Sequence, residues 1–532
     1  MKKNIDRIKK ASLCIILMFV FQSCEEFITH DSPSGVTDAQ WWNTEADAKA
    51  ALNSAYAGIP AGTSGRNVMY FSGLSDEAVH RGDFKGAYDL FTRGLQDTRW
   101  GVALMIWRDN YIDIRRANRF LENIDRVYMN ETDRTRMKYE ARALRAYYHM
   151  ELMILFGDVP LVTKSVLPNE NNLTRTKKEE VYNFIVSELR ECADNLPKEY
   201  VNAEAWRLSS GACLAFLMRV ALYHNDHLLA KKSALEIINQ DVYALYQSSN
   251  SNANSYAELF SYAGELNKER IFFSRDGCSN AWTTFAPAGI GGETYLSPTN
   301  VVVDNYETRQ GNTIFELSAD STLIYKKNPN HNNNRDPRLQ ASIFYPGENF
   351  QNKYLLDPFN RKTDKIGETK STVTGFWVKK YIDPMDQQGK KGTLDFMIIR
   401  YAEVLLSYAE ALIELDDWQN PDVLKYINEV RTRAKMPAAQ PFKYNSQEKL
   451  RALVRRERLA ELAFEGQRYF DIRRWGIVND VMNGEVYGAT NPQNGEIVRV
   501  QTRSYNPERD ALWPIPDLEI YANPNMEQNP KY

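Results

Sequence analysis

The chain is 532 residues long, with 43% hydrophobic residues, 25% charged residues and a formal net charge of −3. These values are typical of an ordinary globular protein. Lys and Arg are not concentrated in any run after the first ten residues, which argues against a nucleic-acid-binding surface. Six scattered histidines and only three cysteines beyond residue 24 provide neither a zinc-site spacing nor a disulfide framework, so we expect no metal and no cofactor.

The first 24 residues have the pattern of an export signal. Five basic residues and one acidic residue occupy positions 1–10, an apolar run covers 13–21, and Ser23 precedes Cys24. The run is shorter than the ~20 residues of a membrane-spanning helix, so we predict a cleaved signal peptide at residues 1–23. Its removal leaves a net charge of about −7. A Cys at the cleavage point resembles a bacterial lipobox, which predicts lipidation of Cys24 and membrane contact through the lipid alone; the alternative is an ordinary signal peptide with an incidental Cys.

Apolar residues at helical spacing predict a first helical block over about residues 38–245. Its helices are expected from a cap at Thr37 or Asp38 to Tyr56, and at 107–127, 131–156, 177–196, 209–223 and 226–239. Gly157 and Pro160 should end the third of these. The last two helices match the spacing of a tetratricopeptide unit loosely.

A region rich in Gly, Asn, Pro and Thr follows over about residues 250–395, where we expect long loops and short strands such as 375–382. A second helical block should begin at 398, continue after Pro421 and include a helix over 447–470, and the proline-rich tail at 512–532 should be extended. The sequence therefore predicts a mainly α fold with helix pairs, long irregular loops and a few short strands.

Four stretches occur in a characteristic order: ARALRAYYHMELMILFGDVPL at 141–161, RYAEVLLSYAEAL at 400–412, RRERLAELAFEGQRYFDIRRWG at 455–476 and LWPIPDLEIYANPNMEQNPKY at 512–532. Together they resemble the SusD/RagB family of outer-membrane nutrient-binding lipoproteins. The resemblance implies a single mainly α domain over residues 24–532, built on tetratricopeptide-like helix pairs. Its parts would be an N-terminal helical half (24–260), a loop-rich middle region (261–395) and a C-terminal helical part with an extended tail (396–532).

The same resemblance implies a role in nutrient uptake. Members of the family are displayed on the cell surface of the outer membrane, where they capture glycans, or in some cases peptides, and pass them to a SusC-like TonB-dependent transporter. We therefore expect a lipid-anchored, non-enzymatic protein that binds oligosaccharide. A peptide-binding protein on the same scaffold is the alternative, and a glycoside hydrolase is a third interpretation.

Three glutamates bear on the hydrolase interpretation, because Glu457, Glu461 and Glu465 lie four residues apart and would share one helix face. Paired carboxylates are the machinery of glycosidases. However, Arg458 lies three residues before Glu461, and Arg468 three residues after Glu465, so charge pairing explains the pattern equally. We predict that this face is structural and that the chain has no catalytic residues.

Ligand contacts are expected from polar-flanked aromatics in loops, since a sugar presents apolar C–H faces together with hydroxyl groups. Two regions, 71–100 and 278–295, have this character, and the residue types suited to sugar contact there are Asp76, Arg81, Asp83, Trp100, Asn280, Trp282 and Tyr295. Core packing, loop exposure and, for Arg81, a surface ion pair are the alternatives. We expect Trp282→Ala to weaken glycan binding without unfolding the helices.

Overall fold

The computed structural model describes residues 41–63, 66–82, 88–170 and 172–532, so Cys24, Asp83 and the predicted signal peptide lie outside the described residues. The predicted mainly α architecture is confirmed. The described helices of eight or more residues are α1 Glu45–Tyr56, α2 Gly101–Asn123, α3 Glu131–Phe156, α4 Lys178–Asn195, α5 Ser210–Tyr223, α6 His227–Asn239, α7 Ala319–Lys327, α8 Tyr401–Glu414, α9 Pro421–Arg433, α10 Gln447–Glu461 and α11 Gln467–Arg474. Shorter helical turns lie between them.

Helices that follow each other along the chain pack side by side from α1 to α6. The array then skips the middle region: α8 packs on α6, and α9 and α10 pack on α8. Buried apolar side chains drawn from Trp42 to Met526 form one contiguous cluster. The stacked helix pairs therefore form a scaffold that carries the loops of the middle region, as expected for a repeat-like array.

Local chemistry sets the ends of α3. The Asn130 carboxamide accepts the amide N–H of Thr132 at 2.8 Å, which caps the first turn. The helix ends at Gly157, whose φ of +78° suits glycine. The carboxylate of Asp158 then accepts the N–H of Lys178 at 2.9 Å and so fixes the start of α4. The predicted end of this helix is confirmed.

Several helix boundaries differ from the prediction, and the predicted cap at Thr37 or Asp38 lies outside the described residues. Among the described residues, α1 begins at Glu45, because Thr44 and Asp47 form a capping box there. The helix predicted to start at 107 begins at Gly101. The predicted helix over 447–470 divides into α10 and α11, because Phe464 and Gly466 have φ angles of +61° and +76°. Left-handed backbone cannot continue an α-helix, so the chain turns sharply at 462–466.

Two further expectations need correction in the C-terminal block. Residues 396–400 form a strand, and α8 begins at Tyr401. The helix therefore starts three residues later than the predicted position 398. The tail is not wholly extended, since Asp517–Ala522 is a short helix. Pro516 is the N-cap residue, with a non-helical ψ of 137°, and the helix begins at the next residue.

The described strands pair into five small antiparallel sheets: β1 Ala78–His80 with β3 Leu296–Pro298, β2 Arg270–Ser274 with β8 Phe396–Arg400, β4 Ile343–Phe344 with β7 Trp377–Val378, β5 Asn349–Phe350 with β6 Tyr354–Leu355, and β9 Gly484–Thr490 with β10 Ile497–Arg503. The predicted strand within 375–382 is present as β7. Two of these sheets join distant segments: β1–β3 ties the middle region to the first helical block, and β2–β8 ties it to the second.

A buried cluster of charges, which we call the arginine–glutamate cluster, joins β2, β8, α9, α10 and the loops around them. Its members are Glu269, Glu307, Asp336, Arg338, Lys380, Arg400, Arg431, Arg433, Glu457, Glu461 and Glu465. Charges this deeply buried persist only when they are paired. The cluster therefore locks the middle region onto the C-terminal helices.

The predicted charge pairing of the three glutamates is confirmed, but the predicted partners are wrong. Arg458 binds Asp471 at 2.9 Å, and Arg468 binds Asp76 at 2.7 Å. The helix breaks at 462–466, so Arg468 no longer lies one turn beyond Glu465. The glutamates instead pair with Arg and Lys residues of the arginine–glutamate cluster.

Candidate functional site

The pairing of β1 with β3 brings the two candidate ligand regions together. Val79 lies opposite Ser297 in this antiparallel pair, and His80 lies opposite Leu296. The N–H of Arg81 donates to the carbonyl of Tyr295 at 3.1 Å, which extends the pairing by one step. Side chains separated by more than two hundred positions in the sequence therefore meet at one strand edge.

Four side chains form this place, which we call the strand-edge site: Arg81, Glu293, Tyr295 and Lys370. The Arg81 guanidinium carbon lies 4.7 Å from the centroid of the Tyr295 ring, within cation–π distance. Arg81 also donates to the Glu293 carbonyl, and the Tyr295 hydroxyl donates to the Glu293 carboxylate. Lys370 approaches the same carboxylate at 2.7 Å.

Neighbouring side chains keep the Glu293 carboxylate of the strand-edge site ionised. Hydrogen bonds from Lys370 and from the Tyr295 hydroxyl hold the pKa of Glu293 below its ordinary value. The Lys370 side chain is 52% exposed and the Glu293 side chain 24%, whereas Arg81 is buried, so Lys370 is the most accessible charge of the site. A half-buried tyrosine ring thus has anionic and cationic hydrogen-bonding groups around it.

A glycine-rich loop, residues 287–292, leads into this site. A Cβ added at Gly292 would lie 2.0 Å from the Ala286 carbonyl oxygen, and one at Gly289 would lie 1.8 Å from the Tyr354 hydroxyl. At Gly292, where the obstacle is backbone, only glycine permits such close approach. The N–H of Gly289 also donates to the Asp364 carboxylate at 3.1 Å. These contacts hold the loop in place beside Glu293.

Aromatic side chains lie behind the site. The half-buried Tyr70 ring meets the His80, Tyr88 and Phe285 rings edge to face, with centroids 5.6, 5.5 and 6.1 Å away. Burial lowers the pKa of His80 to about 4, so its imidazole is neutral near pH 7. These packed aromatic rings support β1 behind the strand-edge site.

Comparisons with known proteins identify the family. The model of the SusD family matches residues 236–532, and a second model, described as starch-binding associating with the outer membrane, matches residues 34–222. The chain belongs to the SusD family. The resemblance seen in the sequence is confirmed, and the mainly α fold is the one its solved relatives share.

Individual relatives of this SusD-family chain span most of its length. A solved SusD-like carbohydrate-binding protein from Bacteroides fragilis is 30% identical, with a TM-score of 0.82 over 92% of this chain and 100% of that one. A SusD-like protein from Formosa agariphila is 24% identical over the full length of both chains. The starch-binding protein SusD of Bacteroides thetaiotaomicron is 24% identical over 79% of this chain and 77% of its own.

The structure of this SusD-family chain places the predicted ligand residues unequally. Arg81 and Tyr295 meet at the strand-edge site. Asp76 is buried and binds Arg468 through two hydrogen bonds of 2.7 Å, so its carboxylate already has a structural partner. Asn280 is half-buried and precedes the short helix Ala281–Phe285.

The two tryptophans among the candidates do not offer the exposed faces that we expected. Trp282 is 1% exposed; its indole N–H donates to the Ile290 carbonyl at 3.2 Å and its ring packs against Phe350. Trp100 is 2% exposed and packs against the Trp513 ring, with centroids 4.7 Å apart. Each ring is surrounded by core side chains, so neither has a free surface for stacking on a sugar.

Sequence reasoning missed Tyr70, Glu293 and Lys370. Glu293 lies two residues before Tyr295, and an acidic residue beside a loop tyrosine was a usable signal. Lys370 carried no such signal, because its approach to Glu293 depends on the fold of the middle region. Tyr70 lies in a short helical turn over Val68–Leu74, just before β1.

The carboxylates considered for glycosidase chemistry are buried inside the fold. Glu457, Glu461 and Glu465 are each at most 4% exposed and bind arginine or lysine side chains. They are therefore unavailable to a substrate in solution.

Across residues 41–63, 66–82, 88–170 and 172–532, no group of three or more His, Cys, Asp or Glu side chains is arranged to hold a metal ion. No helix in these ranges is both long and apolar enough to cross a bilayer.

Glu77, the residue before β1, should make the stability of the protein depend on pH. Burial raises the pKa of Glu77 to about 7, although the Phe464 N–H donates to its carboxylate at 2.6 Å. Because the pKa is higher in the folded state, wild-type stability should fall as pH rises from about 4.5 to about 7. Glu77→Gln should therefore be more stable than wild type at pH 8, by up to about 3 kcal/mol, and equal to it near pH 4.5.

Denaturant unfolding at several pH values measures this difference. Glu527→Gln, which removes an exposed carboxylate, is the matched control and should show no such trend. A Glu77→Gln difference that does not change between pH 4.5 and pH 8 would contradict the raised pKa.

Proposed function

We propose that this chain binds oligosaccharide at the strand-edge site, without catalysis, and delivers it to a SusC-like TonB-dependent transporter. A solved relative named as carbohydrate-binding and a relative named as starch-binding support the ligand class. We further propose that residues 24–532 act as one SusD-like domain.

The Arg81–Tyr295 contact is the observation that carries the proposal. A tyrosine ring provides an apolar face for the C–H groups of a sugar, and Glu293 and Lys370 supply donors and acceptors for its hydroxyls. Arg81 is buried and holds the Tyr295 ring in place from within. We propose further contacts from Asn280, which precedes the short helix Ala281–Phe285, and from Asp83, two residues beyond Arg81. Trp282 supports the glycine-rich loop from within through its hydrogen bond to the Ile290 carbonyl.

Binding and turnover of a panel of oligosaccharides and short peptides test the ligand class. We expect purified protein to bind at least one oligosaccharide, to release no shorter product from it, and to bind none of the peptides. A peptide ligand with no sugar ligand would favour the alternative on the same scaffold. Release of shorter sugars from a labelled oligosaccharide would contradict the non-enzymatic proposal.

We also propose that lipidation of Cys24 holds the protein at the cell surface of the outer membrane. The family description of starch-binding proteins associated with the outer membrane supports this location. A tether would keep the binder at high effective concentration beside its transporter.

Cys24→Ala, expressed with its own leader in a Bacteroidetes-type host, should move the protein from the membrane fraction to the soluble fraction. The reason is that a thioether-linked lipid cannot form without the thiol. Fractionation followed by immunoblotting measures the change, and oligosaccharide binding by the released protein is the control for folding. A variant that remains in the membrane fraction would contradict the lipid anchor.

A further inference from the structure

A second open groove lies in the middle region, and we call it the amide groove. It is formed by the segment after α7, by residues 345–347 and 355–360 on either side of the β5–β6 hairpin, and by the tip of the β9–β10 hairpin. Its volume is about 480 Å³, inside the range of about 300–1,000 Å³ that is usual for small-molecule sites. None of the four side chains of the strand-edge site lines it.

Neutral amides dominate the lining of the groove. The Asn and Gln residues are Asn328, Asn330, Asn332, Asn333, Asn360 and Gln493. Each amide carries two donors and an acceptor but no charge. The charged residues of the lining are Lys327 and Asp357, which have opposite signs. Such a surface suits a neutral ligand with many hydroxyl groups better than an anion or a cation.

Aromatic and proline side chains complete the lining. Tyr345 and Phe359 are half-buried: part of each ring packs on the hydrophobic core and the rest remains accessible. Pro346 and Pro492 add further apolar surface. Partly exposed rings next to amides are the combination that a sugar requires, because its ring faces are apolar and its edges are polar.

The groove is also held in shape before any ligand binds. The Asn330 carboxamide N–H donates to the Asn333 side-chain oxygen at 2.6 Å, and Gln340 donates to the same oxygen at 2.6 Å. The Tyr345 hydroxyl lies near the Asn330 and Gln340 side chains. A preformed site loses less conformational entropy when it binds.

Two amides are exposed and ready for a ligand. Asn332 and Gln493 lie on facing segments of the groove, and neither side chain has a hydrogen bond to another described residue. Asn332 has a φ of +46°, a left-handed conformation that asparagine tolerates better than most residues. Their removal should therefore affect a ligand more than it affects the fold.

We propose that the amide groove is a second binding site for neutral oligosaccharide, separate from the strand-edge site; this inference rests on the proposed function. The two sites are neighbours along the structure, because Tyr354, next to Leu355 of the groove, packs against Gly289 of the glycine-rich loop. A second site adds contacts for a longer chain and raises its overall affinity through multivalency.

Calorimetry and hydrogen exchange with maltohexaose, cellohexaose, xylohexaose and mannohexaose test this proposal. With the tightest of these probes, we expect backbone amides at 328–333 and at 493 to be protected. The double variant Asn332→Ala, Gln493→Ala should lose that protection and bind the probe at least fivefold more weakly. Phe359→Ala should weaken binding similarly, whereas Asn239→Ala, which removes an exposed amide at the end of α6, should not.

A Tyr295→Ala protein separates the two sites. It should keep the probe-induced protection of the amide groove, because the groove does not use that ring. Protection near residues 293–295 alone, with unchanged affinity of the double variant, would overturn the groove and leave the proposed function standing. Protection of the amide groove alone would overturn binding at the strand-edge site and leave the groove proposal standing. If none of the four probes binds, both sites are overturned.

Discussion

Glu461→Gln is expected to destabilise the protein by about 3–5 kcal/mol, the usual cost of breaking a buried ion pair from one side. The Glu461 side chain is fully buried, and its carboxylate accepts hydrogen bonds from Arg400 at 2.6 Å and from Arg338 at 3.2 Å, and another from Arg433. A neutral amide of the same shape would leave these guanidinium groups undercompensated in the core. Denaturant unfolding at pH 7 measures the loss.

The same contacts fix the pH dependence of this effect. Burial alone would raise the pKa of Glu461, but Arg433, Arg400 and Arg338 outweigh it and hold the pKa well below its ordinary value. The stabilisation is therefore present above the unfolded pKa of about 4.5 and is lost as pH falls below it. The difference between wild type and Glu461→Gln should accordingly shrink in acid.

Glu485→Gln is the matched control, because Glu485 forms an exposed ion pair with Arg499 at the C-terminal hairpin. Exposed pairs contribute little to stability, so this variant should unfold at the wild-type denaturant concentration. Equal stability of Glu461→Gln and Glu485→Gln would show that the arginine–glutamate cluster does not lock the middle region to the C-terminal helices.

Trp282→Ala is expected to destabilise the protein by about 3–5 kcal/mol, as for other buried aromatics truncated to alanine. The indole fills the space between the glycine-rich loop and the Phe350 ring, and its N–H satisfies the Ile290 carbonyl. Truncation leaves both a cavity and an unpaired carbonyl. The expectation formed from the sequence, a binding defect with an intact fold, is therefore replaced by a loss of stability.

Trp41→Ala provides the comparison, since the Trp41 side chain is 39% exposed. It should change the free energy of unfolding by less than about 1 kcal/mol. Chemical unfolding monitored by far-ultraviolet circular dichroism measures both variants. A Trp282→Ala protein as stable as Trp41→Ala would contradict the packed position of the Trp282 indole.

The sequence predicted the scaffold better than the loops for physical reasons. Helices such as α3 follow from local signals, an apolar period and a glycine stop, which act within a few residues. The turn at 462–466 could not be predicted, because Phe464 adopts a positive φ that its side chain does not favour. Tertiary contacts hold it there, including the Phe464 N–H donated to Glu77.

In the candidate site, too, features set by local sequence were predicted and features set by tertiary contacts were not. Arg81 and Tyr295 were predicted from residue type alone, since both lie in polar, glycine-containing loops. Whether a loop tryptophan is exposed depends on what packs over it, so the burial of Trp282 by Phe350 and the glycine-rich loop could not be read from its neighbours in sequence. Lys370 reaches the site from a separate segment, and its spacing from Glu293 carries no pattern.

Calorimetric titration of wild type, Tyr295→Ala and Tyr128→Ala with the oligosaccharide that the wild type binds tests the central claim most directly. Tyr128 is 93% exposed and lies between α2 and α3, so its loss controls for removing a surface tyrosine. Loss of the Tyr295 ring face should weaken binding at least tenfold, about 1.4 kcal/mol, while Tyr128→Ala binds like wild type. Wild-type affinity in a folded Tyr295→Ala protein would contradict oligosaccharide binding at the strand-edge site.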